Sequence, residues 1–131
     1  MKQDTQATIL TAANGSAEGR LHFGQVIELM LQAGVESYMA DYRARRTTYY
    51  MPDGETFEVA MDDGRIDVAR AFSADGVRAA VRGAQQGILM YPEFKRLTGS
   101  AGCVGYAVWI EGRRVDYFGR KGETHVERFP D

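Results

Sequence analysis

The chain has few of the residues that build disulfides and metal centres. Among its 131 residues there is one cysteine, Cys103, and there are two histidines, His22 and His125. A single cysteine excludes an internal disulfide, and it leaves a zinc site dependent on ligands that the chain scarcely has. The glycines are scattered and form no phosphate-binding loop. We therefore expect no metal and no cofactor.

Neither charge nor hydropathy indicates a nucleic acid or a membrane as the partner. The 16 basic and 18 acidic residues give a formal net charge of −2, which predicts no bulk attraction to a polyanion. No apolar run approaches the roughly 18 residues that a membrane span needs. The N-terminal segment also lacks the apolar centre of a signal peptide. We therefore expect a soluble, cytoplasmic protein.

What the sequence does contain is a repeat. Residues 5–63 overlay residues 73–131 without a gap when the chain is shifted by 68 positions. Between Glu18 and Thr56 this shift gives 12 identities over 39 positions. We expect shared residues to be architectural and residues present in one copy to be specialised, within a single domain made of two repeats. The shared residues include the pairs Tyr38/Tyr106 and Tyr49/Tyr117.

Each copy is predicted to hold two helices followed by three short strands. The first helix is expected from about Thr5 to Ala13, and Ser73 is expected to cap its counterpart. Two-residue turns are expected at Arg43-Ala44 and Glu111-Gly112. Residues 62–67 would link the copies. The predicted fold is α+β, an internal duplication of an ααβββ unit with a pseudo-twofold axis and an antiparallel sheet packed against helices. Strands are predicted near 35–42, 46–51, 55–60, 103–110, 113–118 and 123–129.

The predicted hairpins bring a mixed set of side chains to one face of the sheet. The register pairs Trp109 with Arg114, and it pairs Asp116 with His125. Asp116 would fix the tautomer of His125, while Trp109 and Arg114 would stack and hold a planar or anionic ligand. The alternative is a solvated face whose cross-strand pairs contribute little stability. The candidate ligand-binding residues are Trp109, Arg114, Phe118 and His125.

A catalytic hypothesis uses three residues of the second copy. Cys103 as nucleophile, His125 as base and either Asp116 or Glu123 as orienting group match the residue types of catalytic triads. The middle strand would separate Cys103 from His125, and Val35 replaces Cys103 in the first copy, which favours a core residue. An enzyme with an Asp116–His125 acid/base pair is therefore the alternative. The leading hypothesis is a non-enzymatic module that binds a small ligand or a protein.

A third hypothesis rests on basic residues at the first hairpin of each copy. Arg45-Arg46 and Arg113-Arg114 could together contact a phosphate backbone, as in a phage-derived structural or nucleic-acid-associated protein. Asp41 and Glu127 are expected near these arginines, which favours paired surface charge instead. We therefore do not expect a nucleic-acid partner. An exposed edge or face leaves a homodimer open.

Several strings in the second half resemble a known family. Together with Ala33-Gly34-Val35 they are similar to the YbcV/YdfO-like family of small bacterial and prophage proteins of unknown function. Its members are often labelled phage envelope proteins. The resemblance covers Leu21 to Pro130 and implies an α+β fold of about this length, without catalytic residues. The strings are Tyr91–Phe94, Ala101–Tyr106, Gly112-Arg113, Tyr117–Arg120, Gly122–Glu127 and Phe129-Pro130.

Overall fold

A computed structural model of the chain describes residues 1–61 and 64–130. Asp62 and Asp63, which belong to the predicted linker, and Asp131 lie outside the described residues. The predicted order of two helices and three strands in each half is confirmed. The elements are α1 (Gln3–Ala17), α2 (Phe23–Ala33), β1 (Ser37–Asp41), β2 (Arg46–Tyr50), β3 (Thr56–Ala60), α3 (Ala74–Gln85), α4 (Tyr91–Ser100), β4 (Cys103–Trp109), β5 (Arg114–Gly119) and β6 (Thr124–Arg128).

All six strands form one antiparallel sheet in the order β3-β2-β1-β4-β5-β6. The two halves meet at β1 and β4, where Met39 lies opposite Ala107 at the middle of the paired segment. The helices pack on one face, called here the inner face, and the other is the outer face. Side chains alternate between the two faces along each strand. The predicted α+β architecture is confirmed.

The turns of the two halves recur at the spacing of the sequence repeat. Arg45 and Arg113 both have positive φ, at 59° and 55°. Glycines with positive φ also occur in pairs that are 68 residues apart, for example Gly34 and Gly102. These agreements match the offset of the repeat, while a duplication and a pseudo-twofold axis stay predictions.

Two local predictions need correction. The first hairpin of each half is closed by four residues, 42–45 and 110–113, because Arg45 and Arg113 adopt the left-handed conformation that completes such loops. In addition, α1 continues through Asn14-Gly15 to Ala17. Gly15 is a packing position, where Leu21 would meet any added Cβ. The predicted cap is confirmed, since Ser73 Oγ accepts a hydrogen bond of 3.0 Å from Gly76 N.

The second hairpin of the second half has a register that differs from the prediction by one residue. Trp109 lies opposite Arg114, as predicted. His125, however, lies opposite Tyr117, and Asp116 lies opposite Val126. A shift of one residue exchanges the two faces of a strand. His125 therefore points to the inner face and Asp116 to the outer face, so the predicted Asp116–His125 pair is wrong.

The inner face is built around tyrosines, as the repeat predicts. The Tyr38 and Tyr49 ring centroids are 5.2 Å apart, and those of Tyr106 and Tyr117 are 5.6 Å apart. All four residues are buried. Because large aromatic rings contribute much of the apolar area that a small domain buries, these pairs anchor both halves in one core.

Candidate functional site

A cavity of about 860 Å³ lies between the helices and the inner face of the sheet. This volume falls in the range of small-molecule binding sites, which are mostly apolar and carry a few polar groups. Exposed residues such as His22 and Gln86 stand at its rim, so solvent reaches it. Apolar walls come from both halves of the chain and include Ala13, Val26, Val81, Leu89 and Phe94.

The strands supply a floor of aromatic side chains to this cavity. Tyr38, Tyr49, Tyr106 and Tyr117 all line it. Burial raises the pKa of each of these four phenols, because a phenolate loses its hydration in an apolar environment. The floor therefore presents neutral hydroxyl groups, which can donate as well as accept hydrogen bonds.

Three of these hydroxyls have no protein partner in the described part of the chain. Tyr106 donates to Tyr91 Oη at 2.9 Å. Tyr38, Tyr49 and Tyr117 make no hydrogen bond through their hydroxyls with any residue in the ranges 1–61 and 64–130. Within these ranges, Asp116 Oδ1 is the one side-chain nitrogen or oxygen atom that is inaccessible to solvent and has no hydrogen-bond partner. The tyrosine hydroxyls are therefore accessible from the cavity.

One end of the cavity carries a carboxylate. Glu127 lines the cavity from β6, and its Oε2 lies 2.7 Å from His125 Nε2. Arg82 of α3 donates from Nη1 to Glu127 Oε1 at 3.2 Å. Both carboxylate oxygens are thus held in place, and each retains a lone pair for a further donor. Residues 68 positions earlier are Asn14, Phe57 and Val59, so this polar group belongs to the second half.

Lys95 of α4 is a second charged residue in the cavity wall. Its exposed fraction is 1%, and its Nζ lies 5.4 Å from the centroid of the Tyr91 ring. An ammonium at this distance from an aromatic ring is attracted by the negative face of the ring. The first half has Ile27 at the corresponding position. This replacement of an apolar residue was the sequence signal that could have identified Lys95.

Comparison with known proteins assigns the chain to a protein family. A model of a family described as proteins of unknown function, DUF1398, matches residues 11–127. The chain belongs to this family. This match confirms the resemblance drawn from the sequence only as far as a family of unknown function. The YbcV/YdfO-like and phage-envelope labels stay predictions.

Relatives of this DUF1398 protein occur in mycobacteria. An uncharacterized protein of Mycobacterium bovis is 28% identical to it over 109 residues. Uncharacterized proteins of two Mycobacterium tuberculosis strains show the same identity over the same length. The match covers 82% of this chain and 66% of each relative, so the DUF1398 chain spans just under two thirds of their length.

Three of the predicted site residues meet on the outer face of the DUF1398 sheet. Trp109 Nε1 donates to Asp116 Oδ2 at 3.3 Å. Arg114 Nε lies 3.3 Å from Asp116 Oδ1, an ion pair whose geometry is not that of a hydrogen bond. The predicted stacking of Arg114 on Trp109 is not among the cation–ring contacts of the described residues, which involve Lys95 and Arg113.

Phe118 lies apart from these residues, in a shallow hollow of about 310 Å³ on the outer face. The hollow is also lined by Met39, Asp41 and Tyr50. His125 is on the opposite face, where it binds Glu127. The four predicted ligand-binding residues therefore do not form one site. A binding role for Trp109, Arg114 and Phe118 on the outer face stays a prediction.

Cys103 lies in the core and away from His125 in the sheet. An irregularity between Cys103 and Gly105 places Cys103 opposite Gly119, and its exposed fraction is 0%. Burial raises the pKa of its thiol to about 12. A nucleophilic cysteine needs the thiolate form near neutral pH, so this environment disfavours the catalytic hypothesis.

The structure also bears on three other points of the sequence analysis, namely the basic hairpins, a metal site and a membrane span. Because β1 and β4 are antiparallel, the hairpins that carry Arg45 and Arg113 lie at opposite ends of the sheet and do not form one basic surface. No group of three His, Cys, Asp or Glu residues in the described part could hold a metal ion. In the same ranges, no helix has both the length and the apolar character to cross a membrane.

Proposed function

We propose that this DUF1398 protein is a non-enzymatic binding module that holds a small, mainly apolar molecule in the helix–sheet cavity. The observation that carries the proposal is the set of three accessible hydroxyls, from Tyr38, Tyr49 and Tyr117, without protein partners among the described residues. Buried tyrosine hydroxyls normally find a hydrogen-bond partner. A bound molecule with oxygen or nitrogen atoms would supply that partner.

The apolar walls support the same proposal. A cavity of this size inside a small protein gives up packing contacts that side chains could have made. A ligand with an apolar body restores those contacts and buries apolar surface at about 25 cal/mol per Å². The hydroxyls would then fix the orientation of the ligand, while the walls would provide most of the affinity.

The reactive groups support binding over catalysis. Asp116 lies on the outer face, away from the cavity. Cys103 is a buried thiol that does not line the cavity. The cavity thus brings hydrogen-bond donors and apolar surface to a ligand, and neither of these two proposed reactants reaches it.

The test is a binding measurement with the uncharged fluorescent probe N-phenyl-1-naphthylamine, which has an aromatic body and one N–H donor. We expect saturable binding at one site per chain. Ala84 lines the cavity from α3, so Ala84→Phe should fill the space and weaken probe binding at least tenfold. The matched control is Thr56→Phe, which adds the same ring to an exposed position on the outer face.

The control should bind the probe as the unmodified protein does, and both variants should retain its circular dichroism. An absence of saturable binding to the unmodified protein would contradict the proposal. Equal loss in Ala84→Phe and Thr56→Phe would do so as well, because it would place the probe outside the cavity.

We also infer a history for this fold. The pairing of Met39 with Ala107, which are 68 residues apart, supports an internal duplication with a pseudo-twofold axis through the centre of the sheet. The cavity, lined from both halves, supports one domain made of two repeats. The strings that resemble the YbcV/YdfO-like proteins support a prophage-associated branch of DUF1398.

A further inference from the structure

The cavity has a shape and a polarity that narrow the class of ligand, provided that it binds one as proposed above. Its lining reaches both edge strands, with Val59 on β3 and Glu127 on β6. Five spacings between neighbouring strands separate these edges, which corresponds to roughly 24 Å. Along the strands the lining is short, since each of the four inner strands contributes only one or two residues to it, for example Tyr38 on β1 and Tyr106 on β4. The cavity is therefore elongated.

The two ends of this elongated cavity differ in chemistry. At the β3 end the inward-pointing residues are Val59 and Met61, which are partly buried and apolar. At the β6 end the lining includes Glu127, with 11% of its side chain exposed, and the ring of Phe129. A ligand that fills the cavity therefore meets hydrocarbon at one end and a carboxylate at the other.

The surroundings of Glu127 select a neutral head group. Arg82 already balances the charge of the carboxylate at 3.2 Å. A cationic head would add an unbalanced charge to a mostly apolar space, and an anionic head would face the carboxylate directly. A hydroxyl or amide group would instead donate to a free lone pair of Glu127 without adding charge.

We infer that the ligand is a single-chain neutral amphiphile, whose hydroxyl or amide head donates to Glu127 and whose hydrocarbon chain extends across the tyrosine floor toward Val59. The chain length would match the width of the sheet. The oxygen of the head group would also accept a hydrogen bond from the hydroxyl of Tyr117 on β5, the strand next to β6.

The test is displacement of N-phenyl-1-naphthylamine by 1-hexanol, 1-octanol and 1-decanol, with decanoic acid and decylamine as charged competitors of equal length to the longest alcohol. We expect affinity to increase about fourfold for each added methylene. 1-Decanol should bind more tightly than the acid or the amine. Glu127→Ala should weaken 1-decanol about tenfold and keep the dependence on chain length.

Two further variants make this result specific. Glu127→Gln keeps the shape of the side chain and an acceptor oxygen. Its affinity for 1-decanol should therefore fall between those of the unmodified protein and Glu127→Ala. Glu58→Ala removes a carboxylate from the outer face of the other edge strand, and it should bind 1-decanol as the unmodified protein does. Melting temperatures of all variants would separate a loss of binding from a loss of fold.

Each possible negative result contradicts a different part of the two proposals. If the probe binds in the cavity but the alcohols do not displace it, or do so without dependence on chain length, the inference about the ligand is wrong and the binding function stands. If the acid or the amine binds more tightly than 1-decanol, the inference that the head group is neutral is wrong. If the probe itself does not bind, both proposals fail.

Discussion

The two halves of the sheet carry the same tyrosines on their inner strands and different residues on their edge strands. In both halves a pair of buried tyrosines covers the inner face, Tyr38 with Tyr49 and Tyr106 with Tyr117. On the edge strands, the apolar Val59 of β3 corresponds to the carboxylate of Glu127 on β6. The shared tyrosines build the floor of the cavity. The residues that differ make one end of it polar.

A second difference lies in how tightly the same backbone conformation is packed. Gly34 and Gly102 have φ of 76° and 90°. A Cβ on Gly34 would meet only Met51 Cε, at 3.8 Å, whereas one on Gly102 would lie 2.3 Å from the carbonyl oxygen of Ala71. The second half is therefore held against the segment that precedes α3, and the first half has open space at this position.

The largest expected effect tests the shared part of the comparison. Tyr38→Ala and Tyr106→Ala should each lower the free energy of unfolding by about 3–5 kcal/mol, because each removes a large buried ring from the core. Urea unfolding would measure both, with Tyr50→Ala on the outer face as a control that should cost about 1 kcal/mol or less. A midpoint close to that of the unmodified protein for either core variant would refute the equivalence of the two tyrosine pairs.

A smaller and unequal effect is expected for the two glycines. Gly34→Ala should cost about 1–2 kcal/mol, because a side chain disfavours the left-handed conformation. Gly102→Ala carries the same strain and also forces backbone to move, which should add about 1–3 kcal/mol. Thermal unfolding of the two variants under one set of conditions measures the difference. Equal melting temperatures would show that the packing around Gly102 yields easily.

The smallest effect concerns Cys103, whose counterpart in the first half is Val35. Its thiol has a pKa of about 12 in the folded protein against an ordinary value of 9.0. Above pH 9 the unfolded chain releases this proton while the folded protein keeps it, so unfolding becomes more favourable as the pH rises toward 12. This group should cost up to about 1.4 kcal/mol of stability per pH unit in that window.

Cys103→Val should remove this contribution and leave that of the buried tyrosines. Urea unfolding of both proteins at about pH 8 and about pH 10 would measure how much the free energy of unfolding falls between these pH values. The fall should be smaller in the variant. The same loss in both would indicate that the thiol does not titrate in this window.

The sequence predicts the first hairpin of each half well and the second hairpin poorly, for a physical reason. Trp109 and Arg114 lie opposite each other as expected, because the loop between them is short. The prediction for β6 took its register from a tight second turn, which paired Asp116 with His125 and turned Val126 inward. His125 and Glu127 instead point inward because they bind each other and Arg82 of α3, a partner that no local pattern on β6 identifies.

The cavity itself could not be predicted from the sequence. The tyrosines of its floor were expected in the core, and they are there. Whether helices pack against such a floor or leave a cavity depends on contacts between elements that are distant in the chain. Lys95 illustrates the limit, because its position in an apolar stripe was visible in the repeat, but the presence of a cavity beside it was not.

The pairing of β1 with β4 also bears on the order in which the chain folds. Every other strand pair in the sheet is a hairpin with a short loop, so its contacts are local and form early. Met39 and Ala107 are 68 residues apart, and closing that long loop costs entropy before any contact compensates for it. We expect the halves to form first and to join last. Since the cavity has walls from both halves, a ligand that occupies it as proposed would recognise only the completed fold and would stabilise it by mass action.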